Sequence, residues 1–116
     1  MKVYESTLIL TMTRSEKIKY TCDFTDLLSG DTIATVATPS QIVGSNLLFG
    51  TPLINSSGTV TVDGETIAIN KAVQYTIDAR TAAPNQPAVG SARVRVVVTT
   101  AGGDVIGLDC RLQIVA

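Results

Sequence analysis

Apolar and polar positions alternate most regularly near the end of the chain. Val94, Val96 and Val98 are interleaved with Arg93, Arg95 and Val97, and Leu108, Cys110, Leu112 and Ile114 with Asp109, Arg111 and Gln113. A period of two places each apolar set on one face of a strand. Ala101-Gly102-Gly103-Asp104 lies between the two runs, and its glycine pair supplies the positive φ of a tight connection. Residues 91–116 are thus predicted to form a closing β-hairpin. Two further runs carry the same signal. In residues 17–24, Ile18, Tyr20, Cys22 and Phe24 share a face; in residues 73–79, Val73, Tyr75, Ile77 and Ala79 do.

The intervening segments are shorter and more broken. Residues 3–13 form a strand candidate of mixed pattern, with Leu8 and Leu10 between Thr7, Ile9 and Thr11, and read as an edge strand or as an arm reaching a neighbour. Residues 25–29 form a corner in which Leu27 and Leu28 cap one end of the core. In residues 32–38 either Ile33 with Thr35 or Ala34 with Val36 faces inward, until Pro39, which cannot donate to a ladder, ends the segment. Residues 41–54 are punctuated by Gly44, Gly50 and Pro52. Residues 59–62 and 66–69 flank Asp63-Gly64, a favoured type I′ pair. Residues 81–90, with Pro84, Pro87 and Gly90, form the longest stretch without a strand pattern. About seven short strands, frequent turn signals and no sustained helical period predict an all-β chain, an immunoglobulin-like β-sandwich in a single domain spanning residues 1–116.

Composition narrows the chemistry. The 116 residues are 45% hydrophobic and 16% charged, with a formal net charge of −1, which places the chain among folded proteins. No basic run marks a nucleic-acid partner, and the loose trio Arg14, Lys17 and Lys19 reads as a solvated face. No apolar run approaches the ~20 residues of a membrane helix, and Leu8-Ile9-Leu10 is too short for the core of a secretory leader. Absence of histidine removes Ser-His-Asp and Cys-His catalysis. Asp23, Asp26 and Asp31, and Asp63 with Glu65, are then the remaining acid–base or calcium candidates, and they read more simply as turn formers. Cys22 and Cys110 fall on predicted core faces, either as buried thiols or as a disulfide formed in an oxidising compartment; two cysteines without histidine are too few for a structural zinc. Asn55-Ser56-Ser57 has the form of a glycosylation sequon in a loop. With no Trp, and with Tyr20, Tyr75 and Phe24 on core faces, few rings remain to stack on sugars or bases. No catalytic, cofactor-binding or metal-ligating residue is assigned.

Residues 16–33, Glu-Lys-Ile-Lys-Tyr-Thr-Cys-Asp-Phe-Thr-Asp-Leu-Leu-Ser-Gly-Asp-Thr-Ile, resemble the opening of small immunoglobulin-like virion proteins of tailed bacteriophages. In that group a strand ending in aspartate and an aromatic residue leads through a corner to Gly-Asp-Thr-Ile. The closing hairpin, residues 92–100 and 105–115 around Gly103-Asp104, is also similar to the group's. The central residues 39–90 depart from it, and Leu27 or Leu28 stands where the group often has Trp. The resemblance implies a non-enzymatic virion protein without cofactor, assembled in the host cytoplasm. Such a protein decorates the capsid or serves as a small head–tail component, with the major capsid protein, other virion proteins or further copies of itself as partners. The alternative is an adhesion module for bacterial surface glycans. Residues 1–13 and the loop 81–90 are the expected contact surfaces, neither being needed to define the sandwich.

Overall fold

The closing hairpin organises the molecule. In a computed structural model, which describes residues 2–3, 9–44, 46–82 and 84–116, strands β11 (Gly90–Thr100) and β12 (Val105–Val115) pair antiparallel over almost their whole length. Val94, Val96, Val98, Leu108, Cys110, Leu112 and Ile114 are all buried, as the alternation requires. The turn closes where Thr100 N–H donates to Asp104 O at 2.8 Å, with Gly103 at a φ of 95°. Gly102 packs against the preceding corner, and a Cβ there would come within 2.8 Å of Asp31 Oδ2.

Preceding the hairpin are β1 (Lys2–Val3), β2 (Ile9–Thr13), β3 (Lys17–Asp23), the one-turn helix α1 (Thr25–Leu28), β4 (Ile33–Val36), β5 (Ser40–Val43), β6 (Leu48–Phe49), β7 (Leu53–Ile54), β8 (Val60–Val62), β9 (Glu65–Ile67) and β10 (Ala72–Asp78). They assemble into two five-stranded sheets and a separate β8–β9 hairpin. One sheet runs β1-β3-β10-β6, with β7 also on β10; the other runs β2-β12-β11-β4, with β5 also on β11. The buried faces of both sheets contribute to one core, in which Tyr20, Cys22 and Phe24 of the β3 segment meet Val73, Tyr75 and Ile77 of β10 and the valines and leucines of the hairpin. Each such side chain taken from water contributes about 1.5–3 kcal/mol.

Most local expectations hold. The corner is α1, with Leu28 buried and Leu27 packed against the core. Asp63 (φ 52°) and Gly64 (φ 81°) form the two-residue loop of the β8–β9 hairpin, both at the positive φ of a type I′ turn. In β4 neither expected alternation holds: Ile33 is buried and Val36 partly buried, while Ala34 and Thr35 are exposed. Residues 40–54 hold three short strands, with Gly44 between β5 and β6 and Gly50 and Pro52 between β6 and β7.

Of the two readings of residues 1–13, the described part bears out the edge strand, and the expectation that the segment is not needed to define the sandwich is corrected. Residues 4–8 lie outside the described residues, but β2 pairs in parallel with β12 from Ile9↔Arg111 to Thr13↔Val115. Leu10 and Met12 are buried in the core. Residues 9–13 are therefore an integral edge strand with Leu10 and Met12 facing inward.

Candidate functional surfaces

Two of the acidic candidates of the sequence, Asp23 and Asp31, accept hydrogen bonds that shape the corner after β3. Asp23 Oδ1 accepts hydrogen bonds from Thr25 N–H (3.0 Å) and Thr25 Oγ1 (2.6 Å) at the entrance to α1. Asp31 accepts from Thr32 N–H at 2.8 Å and Gly102 N–H at 3.1 Å, tying the corner to the far turn. These donors, with Thr100, hold its carboxyl below the usual range. Asp63 sits at a hairpin tip. Among the described residues no three His, Cys, Asp or Glu side chains gather as a metal set. Asn55 is a scaffold residue: its Oδ1 accepts from Lys71 and Ala72 N–H, both at 3.0 Å, and its Nδ2 donates to Ala68 O at 2.8 Å. That amide locks the β8–β9 excursion to the start of β10.

Cys22 and Cys110 are free, buried thiols. They share the core with Tyr20 and Tyr75, which oppose each other across β3 and β10 with ring centroids 6.2 Å apart. The Tyr75 hydroxyl lies beside the Cys22 thiol, yet neither tyrosine hydroxyl makes a well-formed hydrogen bond. Burial pushes the Cys110 thiol up to about 12 and the Cys22 thiol higher still. A thiolate is the reactive form, so both cysteines are inert in the fold. Alkylation at mildly alkaline pH is expected to label neither cysteine in buffer and both in denaturant. A mass lowered by two hydrogens and restored by reductant would show the disulfide instead.

The most unusual surface lies on the flank where both sheets end in short strands. From Thr32 to Val62 the chain contains no charged residue. This segment supplies β4 and β5 at the edge of one sheet and β6 and β7 at the edge of the other. Four large apolar side chains there face solvent: Ile42 (40% exposed), Val43 (44%), Leu48 (57%) and Leu53 (64%). Exposed strand edges are normally guarded by charge, proline, bulges or brevity. Here Pro39, Pro52, register shifts of β4 and β5 against β11, and strands of two to four residues supply the guard. Strand addition is discouraged, while the apolar side chains stay open to packing. Beside β7 a cleft of about 390 Å³ is lined by Leu53, Ile54, Ser57, Thr59, Val60 and Gln74 among others.

Two surfaces expected from sequence stand differently. The described part of residues 1–13 belongs to the fold. The loop 81–90, of which Ala83 lies outside the described residues, is anchored by buried Pro87 and exposes Val89. The uncharged flank was not singled out in the sequence, although its signal, a 31-residue gap between Asp31 and Asp63, is countable there.

On the opposite chemistry, the outer face of β11 and β12 carries Arg93, Arg95, Asp109 and Arg111. Arg95 grips Asp109 with two hydrogen bonds, Nε to Oδ1 at 2.7 Å and Nη2 to Oδ2 at 3.1 Å, which hold that carboxyl below its usual range. Arg93 lies directly opposite Arg111. Comparison with family models, curated proteins and solved structures finds no match to this chain.

Proposed function

We propose that the chain is a non-enzymatic structural protein of a tailed-phage virion, an immunoglobulin-like sandwich that docks through its uncharged flank. The observation that carries the docking role is the coincidence of a 31-residue uncharged segment with four exposed large apolar residues on short edge strands. The division of strands supports the sandwich reading. The order β1-β3-β10-β6/β7 against β2-β12-β11-β4 follows the split of an immunoglobulin domain into an ABED sheet and a CFG sheet, with the first strand shared between them. The parallel pairing of β1 with β3 departs from that scheme.

A shell or connector surface suits such a flank. Side-chain packing without charge gives modest affinity per copy, and repetition over a symmetric lattice turns modest contacts into firm attachment. The test is to locate and count the protein in purified particles of the phage that encodes it, beside variants Leu48→Lys and Leu53→Lys. Each lysine puts a solvated charge into the contact, and copy number is expected to fall about tenfold, the effect of ~1.4 kcal/mol per site. Absence of the protein from particles would overturn the virion reading. Full incorporation of both variants would overturn the flank as its anchor. Binding to a glycan array by the purified protein would favour the adhesion alternative.

A further inference from the structure

Arg93 and Arg111 take part in no ion pair among the described residues. Register sets the two residues opposite each other on neighbouring strands, where like charges are destabilising. Asp109 is the one acid among the outward positions of β11 and β12, and Arg95 already occupies both of its oxygens. Arg93 contributes only through space to the field at Asp109. No ion pair forms to Arg111 among the described residues. The flanking strands bring no acid either: β5 sets Val43 beside Arg93, and β2 sets Thr11 beside Gln113.

The same two arginines line a shallow depression of about 270 Å³ with Ser91, Gln113 and Val43. Ser91 and Gln113 are themselves a register pair, one step along the same face. The depression therefore has two guanidinium forks, a hydroxyl and a carboxamide, and no carboxylate among the described residues that line it. Its volume is below the roughly 300–1,000 Å³ of a pocket for a drug-sized ligand, so it fits a charged group rather than a large molecule.

We propose that this depression is an oxyanion site, in which Arg93 and Arg111 bracket one phosphate or carboxylate group while Ser91 and Gln113 donate to its remaining oxygens. A guanidinium offers paired donors in a plane that matches either group, and hydrogen bonds to a charged acceptor are about twice as strong as neutral ones. An anion between the two forks also cancels the repulsion that the register imposes. The site adjoins the uncharged flank at Val43, but its polar groups lie on the sheet face, and the proposal does not rest on the virion reading.

Amide NMR shifts of the intact chain, titrated with inorganic phosphate, with glutarate and with chloride at matched ionic strength, test it. Saturable shifts confined to residues 91–93 and 111–113 are expected with phosphate or glutarate and not with chloride. The stronger of the two anions distinguishes a phosphoryl group from a protein carboxylate as the natural source. Arg111→Lys keeps the charge but loses the fork, and is expected to weaken binding about tenfold. Arg111→Gln should abolish saturation while the thermal midpoint stays level or rises, since the like-charge pair is relieved. Three results would each overturn the site: equal shifts with chloride, unchanged binding by Arg111→Lys, or a lowered thermal midpoint for Arg111→Gln, which would make the arginine structural.

Discussion

Removal of residues 1–13 is expected to unfold the protein. The deletion takes away β2 with the buried side chains of Leu10 and Met12, the latter wholly enclosed. It also strips five paired positions from β12, leaving that long strand as a bare edge. Two buried aliphatic side chains represent about 3–6 kcal/mol at the usual 1.5–3 kcal/mol each. A domain of this size has only about 5–15 kcal/mol in total. Circular dichroism of the shortened chain should show loss of the cooperative thermal transition, and size-exclusion chromatography should show expanded or aggregated material. A shortened chain that melts cooperatively near the parent's midpoint would show β2 to be dispensable and return residues 1–13 to the role of an arm.

How far the fold was legible follows from what each segment packs against. β3, β10, β11 and β12 have one buried and one solvated face for most of their length, so a period of two is written directly into residues 17–24, 73–79 and 93–114. Asp63-Gly64 was legible because its turn needs two residues at positive φ. β2 was ambiguous because Ile9, Leu10 and Met12 give an apolar run on both parities, and parallel pairing with the far end of the chain leaves no local mark. Residues 40–54 were illegible for a related reason. Their strands hold two to four residues each, too few for any period, and apolar Ile42, Val43, Leu48 and Leu53 point outward where patterning would send them in.

The candidate surfaces show the same division. Missing histidine and scattered acids already directed attention from catalysis to binding. The arginine pair was hidden because Arg93 and Arg111 stand 18 positions apart, and only the pairing about the Gly102-Gly103 turn makes them neighbours. Hairpin register, once the turn is placed, is the signal that finds them.

Two substitutions in the same core are expected to act in opposite directions. Leu112 sits in the middle of its sheet, with Ala92 across β11 on one side and Leu10 across β2 on the other, and it is almost wholly enclosed. Leu112→Ala removes methyl groups that touch both neighbours and leaves a void between paired strands that cannot close independently. The cost should be about 2–5 kcal/mol, lowering the thermal midpoint on the order of 10 °C and the denaturant midpoint in proportion. Tyr20 is equally enclosed, but its hydroxyl has no hydrogen-bond partner although burial holds it protonated, its pKa raised to about 12. Tyr20→Phe keeps the ring against Tyr75 and deletes only the unsatisfied group, whose burial costs about 1–3 kcal/mol. Its midpoint should therefore equal or exceed the parent's. A Leu112→Ala chain with an unchanged midpoint would mean that β12 presents its other face to the core. A Tyr20→Phe chain destabilised by about 1 kcal/mol or more would mean that the hydroxyl is satisfied, by an internal water or by one of the two thiols, and that the tyrosine–cysteine cluster is a polar network within the core.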